Sequence, residues 1–158
     1  MDMKKGLIGE LESAHKFFNT STRPLTEEDS TFKPKEMQFT VAQHVAHVAQ
    51  TIDWFLEGAF RAEGFDLDFE KHDKIARACN SLHEAREWLK NSIARAVSMV
   101  KEKSLEEWQM RISEGPVMGG APRFMIVSAI TDHTAHHRGA LTVYTRLLGK
   151  VPPMPYGD

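Results

Sequence analysis

The chain has 158 residues and a formal net charge of −2 at pH 7, and 41% of its residues are hydrophobic while 27% are charged. This composition is typical of a soluble globular protein, and the length suits one domain, residues 1–158, with a core large enough to fold unaided. Lysine and arginine show no strong clustering, and no apolar run reaches the ~20 residues of a membrane span. We therefore expect neither a nucleic-acid partner nor a membrane partner.

The cysteine content restricts the cofactor chemistry. A single cysteine, Cys79, excludes an internal disulfide and is typical of a reducing cytoplasm, where we expect the protein to be located. It also excludes a cysteine-rich zinc site, so any metal must be held by histidine and carboxylate side chains. No local pattern supports Cys79 as a nucleophile, and we expect a small buried residue.

The first half of the chain contains two segments with the apolar spacing of amphipathic helices. The first covers roughly residues 4–20 and is followed by a polar, proline-containing loop to about residue 37. The second begins at Thr40, where Gln43 completes a capping box. It ends near residue 63, and its core stripe consists of Val41, Val45, Val48, Ile52, Phe55 and Ala59.

Two further helices are predicted in the second half of the chain. A long crossover over residues 64–80, with a short helix at 74–79, leads to a third helix over roughly 81–102. A glycine-containing loop over 109–121, with a short hairpin around Gly115, precedes the last helix at 122–148. Four amphipathic helices without strand alternation predict an all-α four-helix bundle, and the long connections argue against a simple up-down-up-down order.

Histidines interrupt the apolar face of the last helix. His133 and His137 lie four residues apart in the middle of the stripe, so their rings stack one turn above the other and can reach a common centre. His136 lies about 100° back round the helix from His137, nearer the edge of the apolar stripe. Buried imidazoles need polar partners, and a divalent metal would serve both, although hydrogen bonds within the core would also serve. The HxxxH pattern alone does not decide, because it is common by chance.

A third ligand is available on the second helix, but the pattern leaves its identity open. His44 lies about 60° and His47 about 120° from the centre of the apolar stripe, which slightly favours His44. Helix two is apolar nearly all round, so its helical wheel decides little. Thr51 and Trp54 lie on the same flank as the two histidines.

Three motifs resemble the DinB/YfiT-like family of four-helix-bundle metalloproteins. They are residues 40–48 (TVAQHVAHV), residues 133–141 (HTAHHRGAL) and residues 147–157 (LLGKVPPMPYG). The resemblance spans most of the chain, and the two histidine motifs are its specific part. It implies metal ligands at His47, His133 and His137, whereas His44 stands where the family usually has an apolar residue. The remaining candidate pocket residues are His44, Thr51, Trp54, His136 and Arg138.

The expected chemistry follows from three neutral imidazoles, which leave coordination positions open for water or substrate. Imidazole ligation suits zinc and nickel and does not choose between them. The resemblance implies a metal-dependent enzyme, either a transferase that uses a low-molecular-weight thiol or a hydrolase of a small-molecule substrate, in a protein that can form a homodimer. Two alternatives remain open: a non-catalytic bundle in which the metal is structural or the pocket is a sensor, and metal-free packing of the histidines.

Overall fold

Six α-helices make up most of the chain in the computed structural model, which describes residues 2–157. They are α1 (Met3–Thr22), α2 (Val41–Phe60), α3 (Phe69–Arg77), α4 (Leu82–Glu102), α5 (Leu105–Gln109) and α6 (Met125–Leu147), with a 3₁₀ turn at Glu27–Asp29. The four long helices form the expected all-α bundle. No strand occurs between residues 2 and 157, and the hairpin near Gly115 is closed by one antiparallel bridge between Arg111 and Pro122. Over the same range, no helix is both long and apolar enough to span a membrane.

The directions of the long helices follow from their cross-contacts. Lys4 donates to the Lys101 carbonyl and Arg86 donates to the Thr22 carbonyl, so α1 and α4 are antiparallel. Helices α2 and α4 are parallel, because their residue numbers increase together along the contact. The contacts that show this are Asp53 with Trp88 and Glu57 with Arg95.

The long connections are a consequence of this arrangement. Helices α2 and α6 are antiparallel, as the histidine contacts described below show. Taken in chain order, α1, α2, α4 and α6 therefore run up, down, down and up. A short turn cannot join two parallel neighbours such as α2 and α4, because the chain must first return to the starting end. The segment from 61 to 81 makes that return, and α3 forms within it.

All four long helices supply side chains to one core. Buried leucine, isoleucine, valine and phenylalanine side chains each contribute about 1.5–3 kcal/mol relative to exposure to water. Phe55 departs from the expected stripe of α2, because it is only half-buried and its neighbour Leu56 occupies the core instead. The core includes Leu11 and Phe18 of α1, Val45 and Ile52 of α2, Leu89 of α4 and Ile130 of α6.

The predicted capping box fixes the beginning of α2 and also anchors α3. The Thr40 hydroxyl accepts from the Gln43 amide at 3.2 Å, and the Gln43 side chain accepts from the Thr40 amide at 3.0 Å. The amide nitrogen of the Gln43 side chain then donates to the Arg77 carbonyl at the end of α3. This bond holds α3 against the first turns of α2, next to His44 and His47.

Candidate metal centre

Three histidine rings from two helices meet inside the bundle. Nε2 of His133 lies 3.3 Å from Nε2 of His47 and 3.1 Å from Nε2 of His137. His133 and His137 lie one turn apart on α6, so the antiparallel α2 brings His47 opposite the gap between them. One nitrogen from each ring lies within 4.8 Å of the others, an arrangement that could hold a metal ion.

The nitrogen spacing matches that of a metal coordination sphere. Metal–nitrogen bonds of about 2.1 Å place neighbouring ligands about 3.0 Å apart in an octahedron and about 3.4 Å apart in a tetrahedron. The two measured separations, 3.1 and 3.3 Å, lie between these values. The donor set therefore fits a divalent metal ion, and three imidazoles would leave coordination positions open.

His44 contacts the opposite side of the cluster. Its Nδ1 lies 3.1 Å from Nδ1 of His137, so it is the second nitrogen of His137, and not the one in the cluster, that His44 touches. The His44 ring also lies edge-on to Phe39 and Tyr144. The Tyr144 hydroxyl donates to the Phe39 carbonyl at 3.0 Å and closes this side of the site. His44 can therefore fix the tautomer and the orientation of His137.

The buried rings are held in the neutral form that metal ligation requires. Burial lowers the pKa of His44 and of His133 to about 4, and the neighbouring rings add to the shift. Burial, together with four neighbouring imidazoles, lowers the pKa of His137 to about 2. Burial also lowers the pKa of His47, although Asp73 opposes the change. Near neutral pH, each ring is therefore neutral and offers one lone pair, on the nitrogen that does not carry its proton.

One nitrogen of the cluster lacks a partner. Nδ1 of His133 is buried and makes no hydrogen bond to any residue between 2 and 157. Metal-bound histidines usually donate their second N–H to a carbonyl or carboxylate. If His133 instead carried its proton on Nε2, this proton could be shared with His47 and His137, and Nδ1 would be an unused acceptor. The structure thus permits a metal-bound and a metal-free arrangement of the same rings.

A cavity of about 400 Å³ opens onto the cluster beside His47 and His133. Thr51 and Trp54, two of the candidate pocket residues, form part of its wall. The other lining residues come from α2 and from α3, and they are Gln50, Phe55, Phe69, His72 and Asp73. The cluster is therefore accessible to a small molecule from one side.

Two candidate pocket residues lie elsewhere. His136 is exposed on the outer face of α6 and touches the cluster only through the edge of the His137 ring, at a centroid distance of 4.9 Å. Arg138 contacts the rings of Phe17 and Tyr156 and donates to the Tyr156 hydroxyl, on the side of α6 that faces α1. Neither residue lines the cavity beside the histidines. His136 and Arg138 flank His137 in the sequence and lie about 100° to either side of it on α6, so they are turned away from α2.

Sequence reasoning missed five residues of the cavity, of which His72 and Gln50 are polar and contact each other. The polar sequence around His72 is typical of an exposed segment, but its side chain is only 16% exposed and lines the cavity. Gln50 of α2 contacts Nδ1 of His72 at 2.9 Å. The available signal was the position of Gln50, one turn after His47 on the same flank of α2.

Cys79 is half-buried, whereas it was expected from the sequence to be buried. Burial raises the pKa of its thiol.

Comparison with known proteins agrees with this architecture. A model of the DinB family matches residues 3–158, which is nearly the whole chain. No curated protein matches the sequence. With an all-helical bundle and a three-histidine cluster across its second and last long helices, the chain belongs to the DinB family.

Proposed function

We propose that the protein binds one divalent metal ion, zinc or nickel, through His47, His133 and His137. The observation that carries this proposal is the convergence of three Nε2 atoms at separations of 3.1 and 3.3 Å. Neutral lone pairs at such separations repel one another unless a proton or a cation lies between them. Imidazole nitrogens are good ligands for both metals, so the donor set does not choose between them.

His44 serves this site as a positioning residue. With Nε2 of His137 directed at the cluster, Nδ1 of His137 carries the proton and donates to Nδ1 of His44. The bond holds the His137 ring in one orientation and increases the basicity of its Nε2. His47 is held from the other side by Phe39, whose ring stacks on it at 5.0 Å.

We further propose that the site is catalytic, as a thiol-dependent S-transferase or a hydrolase of a small-molecule substrate. The support is the cavity, because a structural site is closed by protein ligands, whereas this cluster faces open space. A bound metal would lower the pKa of water or hold a thiolate there. The chain's own residues would position the substrate, with Trp54 and Phe69 shielding it from water.

A second candidate is a non-catalytic bundle, in which the metal is structural or the pocket is a sensor, and a third is metal-free packing of the histidines. The observation that favours it is the unpartnered Nδ1 of His133, which has no hydrogen bond to any residue from 2 to 157. A catalytic metal site normally fixes each ligand through its second nitrogen. A metal-free network would need only one shared proton on His133.

Homodimerisation is a separate proposal, with the outer face of α6 as the contact. Val143 and Leu147 are 55% and 59% exposed and lie four residues apart on this helix. Light scattering of the wild type and of Val143→Asp tests the dimer, because a charge on this face should leave only monomers. We also propose a cytoplasmic location, in keeping with the single unpaired cysteine.

A screen of metal-loaded protein with low-molecular-weight thiols and with ester or amide substrates tests the catalytic proposal. We expect turnover that requires added zinc or nickel and is lost in His133→Ala. His136→Ala is the matched control, since it changes an exposed histidine on the same helix. Stoichiometric metal binding without turnover of any substrate class would favour the non-catalytic bundle.

A further inference from the structure

The walls of the cavity beside the histidine cluster are largely aromatic. Trp54 and Phe55 of α2 and Phe69 of α3 line a space of about 400 Å³. Phe65 supports this wall from behind, with its ring 4.6 Å from that of Trp54. The volume lies near the lower end of the range of about 300–1,000 Å³ for small-molecule pockets. It suits a single-ring molecule or the ring end of a longer one.

Most polar groups around the cavity already have protein partners. The indole N–H of Trp54 donates to the Asp66 carbonyl at 2.7 Å, so the indole offers its apolar surface to the cavity. Gln50 contacts Nδ1 of His72 at 2.9 Å, whereas Nε2 of His72, 3.5 Å from the Asp66 carboxylate, is buried without a hydrogen bond to any residue between 2 and 157. A ligand that hydrogen-bonds to Gln50 or to the indole of Trp54 would have to break one of these contacts before it gained its own.

The charges around the cavity disfavour an anion. No lysine or arginine is among the lining residues in the part of the chain that the structure describes. The nearest cations are engaged: Lys71 with Asp66 and Arg77 with Asp73, both at 2.7 Å. Asp73, which lines the cavity, is paired with Arg77, so a carboxylate or phosphate there would lose its hydration with no cation among the lining residues to compensate it.

We propose that this cavity binds an uncharged aromatic or otherwise apolar group of the substrate and excludes anionic molecules. The inference rests on the proposed function, because it assigns the cavity to the substrate of the histidine site. A thiol that carries carboxylates must then keep its charged part outside the cavity. The walls, and not the metal, set this preference, so it can be measured without metal.

Binding of three probes that share a phenyl ring and differ in charge tests the proposal on the full-length, metal-free protein. The probes are phenylacetamide, phenylacetate and phenethylamine, measured by ligand-observed NMR titration, with circular dichroism to confirm folding. We expect phenylacetamide to bind about tenfold more tightly than phenylacetate, because no cation compensates the buried carboxylate. Phenethylamine should also bind more weakly, because Asp73 is already paired with Arg77. A repeat with zinc shows whether the metal recruits the carboxylate.

Phe69→Ala links the binding to this cavity. Phe69 is 59% exposed at the rim, so the variant should fold normally and still take up metal. We expect it to weaken phenylacetamide binding about fivefold through lost apolar contact. Tyr156→Ala is the matched control, an exposed aromatic residue outside the cavity.

Three results would overturn the proposal: equal or tighter binding of either charged probe by metal-free protein, no binding of phenylacetamide up to its solubility, or an unchanged affinity in Phe69→Ala. Failure of the metal site is a different result, because it is measured by metal uptake. Probe binding with no metal uptake would retain the cavity assignment and reject the metal proposal.

Discussion

At the scale of single residues, the main question is which histidine of α2 joins His133 and His137. The sequence periodicity slightly favours His44, whereas the structure brings Nε2 of His47 to the cluster and leaves His44 on the far side of His137. The periodicity could not decide because α2 is buried on nearly every side. The rotation of such a helix depends on its neighbours and not on its own pattern.

Substitution of the two α2 histidines tests this assignment. His47→Ala removes one of three proposed ligands and should weaken zinc binding by about two orders of magnitude or more. His44→Ala removes only a hydrogen bond to His137 and should weaken it about tenfold. Competition titration with a chromophoric chelator measures both. Tight binding by His47→Ala together with loss in His44→Ala would mean that the helix is rotated relative to our description.

The buried histidines also predict how stability depends on pH. Burial lowers the pKa of His44, His133 and His137 below the usual value of 6.5, so on acidification the unfolded chain takes up protons first. The stability of metal-free protein should therefore be full above about pH 7 and decline below about pH 6.5, down to about pH 4 through His44 and His133 and down to about pH 2 through His137. Thermal unfolding at a series of pH values measures this.

The matched variants for the pH series are His137→Ala and His136→Ala. We expect the decline to become shallower when the buried His137 is removed and to stay unchanged when the exposed His136 is removed. A melting temperature that is constant from about pH 7 to 5 in the wild type would show that the rings are already protonated or solvated in the folded protein.

At the scale of secondary-structure elements, the long helices were predictable and α3 was not. The capping box at Thr40 and the apolar spacing locate α2 within a few residues. A short helix was expected at residues 74–79, but α3 covers Phe69–Arg77 and begins at the Asp68 cap. Only Ala76 of this helix is buried, so there is almost no apolar stripe to reveal it. Its role in lining the cavity depends on contacts with α2 that are distant in sequence.

The close approach of the crossover to α2 can be tested at Gly58. A Cβ atom at this position would clash with the Phe65 ring, which forms the outer support of the aromatic wall. Gly58→Ala should therefore destabilise the protein by about 1–3 kcal/mol, despite the better helix propensity of alanine. Urea unfolding measures the change.

Gly9→Ala is the matched control for this substitution. Gly9 lies inside α1, and a methyl group added there would meet no other atom within 4 Å. Alanine there should stabilise the protein by about 0.5–1 kcal/mol, because it reduces the backbone freedom of the unfolded chain. If Gly58→Ala were as stabilising as Gly9→Ala, the Phe65 ring would have to lie further from α2 than we describe.

At the scale of the whole molecule, we expect the four apolar helix faces to be sufficient for the fold without a metal. We propose that residues 1–158 form one cooperative domain, because α1, α2, α4 and α6 share a continuous core. The all-helical bundle was predictable from the sequence, since it needs only the helical period and the number of helices. The up-down-down-up order was not, because the sequence does not record which helices are neighbours.

Chelation tests whether the metal is required for folding or only increases the stability of the folded protein. A core of this size is sufficient for folding, unlike that of a small zinc finger. We expect chelator to lower the melting temperature, since a ligand that binds only the folded state stabilises it. The helical circular dichroism at about 25 °C should stay intact, and unfolding should remain a single transition. Loss of helical signal on chelation would instead make the site the main support of the bundle.

The metal content of the purified protein tests the central claim most directly. Elemental analysis of protein prepared without a histidine tag, followed by titration with zinc and nickel, should give about one ion per chain, as a single cluster of three imidazoles implies. The variant with alanine at His47, His133 and His137 should bind none while remaining helical. A folded wild-type preparation that contains no metal and takes up neither zinc nor nickel would contradict the account.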